Sequence, residues 1–186
     1  MTIVEAIAAE YRRYKALADL AIEQVTDDEL RATGPGDSNS IEILIRHLAG
    51  NFASRFTDFR TSDGEKPWRH RDDEFEPAAA TRQELLARWE SAWGIVLKEV
   101  QAVTDEDLAA SVTVRGQPLR IDEALLRSLA HTAYHVGQIV YLAKAMRGAG
   151  WRCLSIPKGK SEEYNRAPAK ENAAAHAAWL ASRKGS

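Results

Sequence analysis

The chain has 186 residues, 45% apolar and 28% charged, with 25 Lys and Arg against 27 Asp and Glu. That composition suits one folded domain spanning residues 1–186 and excludes wholesale disorder. The near-balanced charge offers no basic excess for nucleic acid and no polybasic block for a membrane surface. No apolar stretch approaches the ~20 residues that cross a bilayer. The only cysteine, Cys153, permits no intramolecular disulfide. The opening MTIVEAIAAEYRRYK interrupts its apolar spacing with charges, unlike a signal peptide. A soluble cytoplasmic protein is expected.

In chain order, Ile3, Ile7, Tyr11, Tyr14, Leu17, Leu20 and Ala21 recur at three- and four-residue steps, which predicts a helix over 2–24. Gly34, Pro35 and Gly36 then forbid a continuing helix, and Asp37 to Ser40 supply capping side chains. A second helix is predicted over 40–60 on the stripe Ile41, Leu44, Leu48, Phe52, Phe56 and Phe59. The polar segment over 61–80 reads as a long loop, with Trp68 and Phe75 expected to pack down. Thr81 and Glu84 form a capping-box pattern at the head of a third helix that ends near Val103. Its core face is Leu85, Trp89, Ala92, Trp93, Val96 and Val100.

The stretch SVTVRGQPLRI alternates valine and threonine around Gly116, the pattern of a small hairpin. A fourth helix spans 121–147, with Asp122 and Glu123 at its positive end, and Gly148 and Gly150 stop it. A last helical run covers 170–182. These elements predict an all-α domain: a four-helix bundle with a small hairpin and a C-terminal helix.

His131 and His135 stand four residues apart in HTAYHVGQ, so they share one helix face about a turn apart. They border the apolar stripe. Either they are ordinary half-buried histidines or they hold a metal. No glutamate follows the first histidine, which removes the general base of the HExxH proteases. A metal site needs a third ligand, and His47, beside Leu44 and Leu48, is the best candidate. Three imidazoles from two helices would leave positions for water or substrate, whereas a closed structural site would bring a fourth protein ligand. Gln138, a turn beyond His135, and Asn51, four residues after His47, could orient a bound ligand or water. Arg46 and Arg55 are candidate anchors for an anion. His70 and His176 have no partner at helical spacing. Trp68 and Tyr164 either cover the mouth of such a site or plug one end of the fold.

One histidine in RHLAGN (46–51) followed by HTAYHVGQ (131–138) resembles the DinB/YfiT-like superfamily of metalloenzymes. The segments FTDFRTSDGEKPWRHRDDEFE (56–76) and SIPKGKSEEYN (155–165) resemble a bacterial branch of it, so the resemblance covers almost the whole chain. It implies a bundle in a mirror variant of the up-and-down topology. It also implies a metal centre on His47, His131 and His135 holding zinc or nickel, and a homodimer. Relatives act on low-molecular-weight thiols. The functional expectation is therefore a metal-dependent thiol S-transferase with a small-molecule substrate. A metal-dependent hydrolase and a non-catalytic metal-binding dimer are the alternatives. The resemblance fixes ligands and assigns no catalytic acid or base.

Overall fold

The first apolar stripe forms α1 (Ile3–Glu23), which opens on a capping box between Thr2 and Glu5 and buries Val4, Ile7, Tyr11, Ala18 and Ala21. The computed structural model describes residues 1–34, 36 and 38–184 and is mostly helical with one small hairpin. Pro35 and Asp37, expected to break and cap helices, lie outside the described residues. A short helix, α2 (Asp27–Arg31), occupies part of the expected connection. A second capping box, Thr26 with Glu29, starts it, and Leu30 anchors it at 1% exposure.

Ser40 caps α3 (Ile41–Phe56) by accepting from the Ile43 amide. This helix stops four residues before the expected Arg60. Thr57 turns to extended backbone and Asp58 takes a φ of 51°, a conformation that ends the helical ladder. Phe59 is buried all the same. α4 (Arg82–Gln101) begins at the Thr81–Glu84 capping box. Strands β1 (Ser111–Val114) and β2 (Gln117–Arg120) pair antiparallel, with Val114 opposite Gln117. Arg115 and Gly116 turn between them with φ of 55° and 71°. Paired positive φ values match the twist of the flanking strands. α5 (Ile121–Arg147) runs 27 residues and ends at Gly148, whose φ is 50°. The tail holds α6 (Ser161–Arg166), unforeseen in the sequence pattern, and α7 (Ala173–Ala181).

α1 packs on α4, α5 and α7, while α3 packs on α4 and α5. The helices meet over edge-to-face aromatic contacts: Trp93 lies 4.8 Å from Phe52, 5.4 Å from Trp89 and 6.3 Å from Tyr11, centroid to centroid. Such pairs add about 0.5–1.5 kcal/mol each to the burial of the rings. Among the described residues, no helix is long and apolar enough to cross a membrane.

The loop from residue 57 to 81 is held by polar contacts more than by apolar ones. Trp68, expected to pack down, is 53% exposed. The Lys66 ammonium, buried, donates instead to the Ser62 hydroxyl and the Asp63 carbonyl. The Asp63 carboxylate accepts from the amides of Glu65, Arg115 and Gly116 at 2.7–2.8 Å, which ties the loop to the hairpin turn. Phe75 does pack, half-buried, with its ring 5.0 Å from that of His47.

Candidate metal centre

Helical spacing places all three histidines. On α5, Leu125, Thr132, Val136 and Ile139 face the core, and His131 and His135 follow at the edge of that face. On α3, His47 sits between Leu44 and Leu48. His47 is 5% and His135 9% exposed, and His131 is half-buried. The Nε2 atoms converge: His131 lies 3.2 Å from His47 and 3.1 Å from His135.

The outer ring nitrogens explain why the inner ones point inward. His47 Nδ1 is 2.8 Å from Glu74 Oε2. Burial acts to raise the Glu74 pKa, but hydrogen bonds from His47 and Arg69 outweigh it and hold the group below the usual carboxylate range. An ionised carboxylate only accepts, so His47 Nδ1 carries the hydrogen and its Nε2 presents a lone pair. Arg69 completes this support, donating to both Glu74 oxygens at 2.8 and 3.0 Å. On the other side, His135 Nδ1 donates to Gln138 Oε1 at 2.8 Å, which leaves its Nε2 as a second lone pair. Burial, chiefly, pushes His131 down to about 4, with His135 and His47 adding to the effect. Burial also lowers His135, against an opposing contribution from Gln138. Neutral imidazole is the form that binds a metal.

The donor set fits a divalent cation. His131 Nε2 carries at most one hydrogen and can satisfy only one of its two neighbours, so at least one of the two close N···N contacts is left without a hydrogen bond. His131 Nδ1 is buried without a partner among the described residues, so nothing on its outer side fixes that ring's tautomer. Two imidazole nitrogens on an ion at ~2.0–2.1 Å lie about 2.9 Å apart at a right angle and about 3.4 Å apart at a tetrahedral one. The observed 3.1 and 3.2 Å fall between these limits. His47, His131 and His135 form the cluster capable of holding a metal among the described residues, with ligand atoms within 4.8 Å of one another.

A cavity of about 520 Å³ opens beside the cluster, with His47 and His131 in its wall. Asn51, Phe56 and Phe59 line one side and the hairpin the other. A groove of about 600 Å³ between α3 and α4 touches the back of Glu74 and none of the three histidines, so the smaller cavity is the one that serves the centre.

The other sequence candidates divide. Gln138 orients His135, and Asn51 lines the cavity. Arg46 does neither: its guanidinium donates to the carbonyls of Asp73 and Glu76 and borders the α3–α4 groove. Arg55 is in the cavity wall, paired with Glu65 at 3.1 Å. Trp68 and Tyr164 are not in that wall; the Tyr164 hydroxyl donates to Glu171 at 2.7 Å within the C-terminal segment. His70 is exposed, and His176 rests near Trp179 with ring centroids 5.9 Å apart. Sequence reasoning missed Glu74 and Arg69. Both sit in RHRDDEFE, a charged stretch in which no periodicity marks which carboxylate turns inward.

The family of proteins of unknown function DUF1572 has a model that matches residues 1–160. The chain belongs to the DUF1572 family. No curated protein matches it. The matched part of this DUF1572 chain includes α1 to α5, the three histidines, Glu74, Gln138 and every residue of the cavity wall, while α6 and α7 follow it.

Proposed function

We propose that this protein is a metal-dependent enzyme of the DinB/YfiT type, a four-helix bundle whose His47, His131 and His135 hold zinc or nickel, and that it transfers a low-molecular-weight thiol to an electrophile. One observation carries the reading: His131 Nε2 lies 3.2 Å from His47 Nε2 and 3.1 Å from His135 Nε2, beside a cavity large enough for a small molecule. A non-catalytic metal clasp would bring a fourth protein ligand; among the described residues the cluster contains three.

A bound divalent cation supplies Lewis acidity, which lowers the pKa of a water or thiol within reach. The protein's own groups do the rest. Glu74 and Gln138 hold two imidazoles in the tautomer that donates a lone pair inward. Phe56, Phe59 and the hairpin wall exclude water from one side of the cavity. Asn51 offers an amide to a bound substrate. In the transfer, the thiol sulfur forms a bond to the electrophilic carbon, the bond from that carbon to its leaving group breaks with the electron pair, and the thiol proton passes to solvent.

Metal analysis of purified protein should give about one zinc or nickel per chain, and the variant with His47, His131 and His135 all replaced by Ala should give none. Equal occupancy in both would sink the reading. Glutathione, mycothiol and bacillithiol, each incubated with monochlorobimane, test the reaction. No metal-dependent consumption of any of the three would rule out the transferase assignment.

A further inference from the structure

The cavity beside the histidines has an unusual charge. Arg55, Arg69, Arg71, Arg115 and Arg127 all line it, and among the described residues no Asp or Glu does. The chain as a whole carries a formal charge of -2, so this concentration of five of its 25 basic residues is local. Two carboxylates neutralise part of it from behind. Glu65 pairs with Arg55 at 3.1 Å and Arg115 at 2.8 Å, and Glu74 pairs with Arg69 at 2.8 Å. Arg71 meets Asp72 only at 3.5 Å, and the Asp72 side chain is 99% exposed. Arg127 makes no hydrogen bond or ion pair among the described residues and is exposed. Five guanidiniums against Glu65, Glu74 and the exposed Asp72 leave an excess of about two positive charges around one opening.

Position gives this excess a use. Arg127 precedes His131 by four residues on α5, so the two side chains stand one turn apart on the same face. Arg71 comes from the loop that carries Glu74, and Arg115 from the hairpin turn held by Asp63. Guanidiniums from three separate elements therefore surround the approach to the metal ligands. Planar two-pronged donors of this kind match carboxylate and phosphate oxygens. Phe56, Phe59, Val114 and Leu119 supply an apolar wall in the same cavity.

We infer that the small molecule entering this cavity is an oxyanion carrying at least two negative charges, as carboxylates or phosphate, and that Arg127 and Arg71 select it. The inference rests on the reading of the cavity as the substrate site, but not on the identity of the metal. Its test uses inorganic phosphate and succinate, with neutral succinamide as the control, titrated into zinc-loaded and metal-stripped protein while amide and arginine side-chain resonances are followed by NMR.

Both anions, or whichever matches the natural group, should bind about tenfold or more tightly than succinamide, and more weakly as salt rises. The ratio of phosphate to succinate affinity identifies the group. Arg127→Ala and Arg71→Ala should each weaken anion binding about tenfold, with zinc affinity unchanged. Arg127 has no ion pair to lose, so its variant should stay folded, as thermal unfolding will report. Anion affinity no greater than that of succinamide, or insensitive to both substitutions, would overturn the inference. Failure to bind zinc with anion binding intact would instead strike only the metal reading.

Discussion

Gly50→Ala should damage the metal centre without touching a ligand. In an α-helix interior alanine is favoured over glycine by about 0.8–1.0 kcal/mol, so propensity alone predicts a more stable α3. The structure predicts a cost at the centre. A Cβ on residue 50 would lie 2.1 Å from Glu74 Oε1 and 2.9 Å from its carboxyl carbon, where real contacts stay beyond 3.0 Å. The nearer oxygen must retreat by the difference, about 0.9 Å. It cannot swing away freely, because Arg69 grips both oxygens and His47 holds the other one at 2.8 Å. Displacing the carboxylate releases the tautomer and orientation of His47. Loss of such an outer partner costs about 10–100-fold in metal affinity, or about 1.4–2.7 kcal/mol. Competition for zinc against a chromogenic chelator at pH 7.5 measures this, with thermal unfolding of the metal-free variant as a check on the fold. Wild-type zinc affinity in a folded Gly50→Ala protein would refute the assigned role of Glu74.

Three further outcomes follow from the contacts around the site and core. His131 in the folded protein sits near 4, below its ordinary value of 6.5, so between those values the unfolded chain binds the proton and the folded chain does not. The metal-free protein should therefore lose stability as pH falls from about 6.5 toward 4 and show no His131 dependence above it. Urea midpoints from pH 7.5 to 5 check this, and a slope identical in His131→Gln would contradict it. Asp63→Ala removes the acceptor of the Arg115 and Gly116 amides, and hydrogen exchange at those amides should quicken by about tenfold; unchanged protection would show that the turn stands without it. Trp89 Nε1 donates to Asp19 at 2.9 Å whereas Trp93 Nε1 has no partner among the described residues. Trp89→Phe should accordingly cost about 1 kcal/mol more than Trp93→Phe in urea unfolding, and equal costs would argue against the Asp19 bond.

The sequence alone determined the long helices, because burying a stripe at a period of 3.6 residues is a local requirement. The 121–147 span matched α5 at both ends, since Gly148 at φ 50° stops it sharply. The capping box at Thr81 is also local and was legible, whereas those at Thr2 and Thr26, and α2 with the latter, emerged only in the structure. The pair His131 and His135 was legible for the same reason: four residues are one turn. Tertiary structure decided what meets across the fold. His47 reaches the pair from 84 residues away, and Glu74 turns inward from a loop whose neighbouring acids Asp72, Asp73 and Glu76 stay exposed. Arg46 and Arg55 look alike in sequence, yet one caps loop carbonyls while the other enters the cavity wall. Trp68 remains exposed while Lys66 is buried. Such choices depend on which buried polar group finds a partner among residues distant in the chain. Spacing along one element carries no information about that.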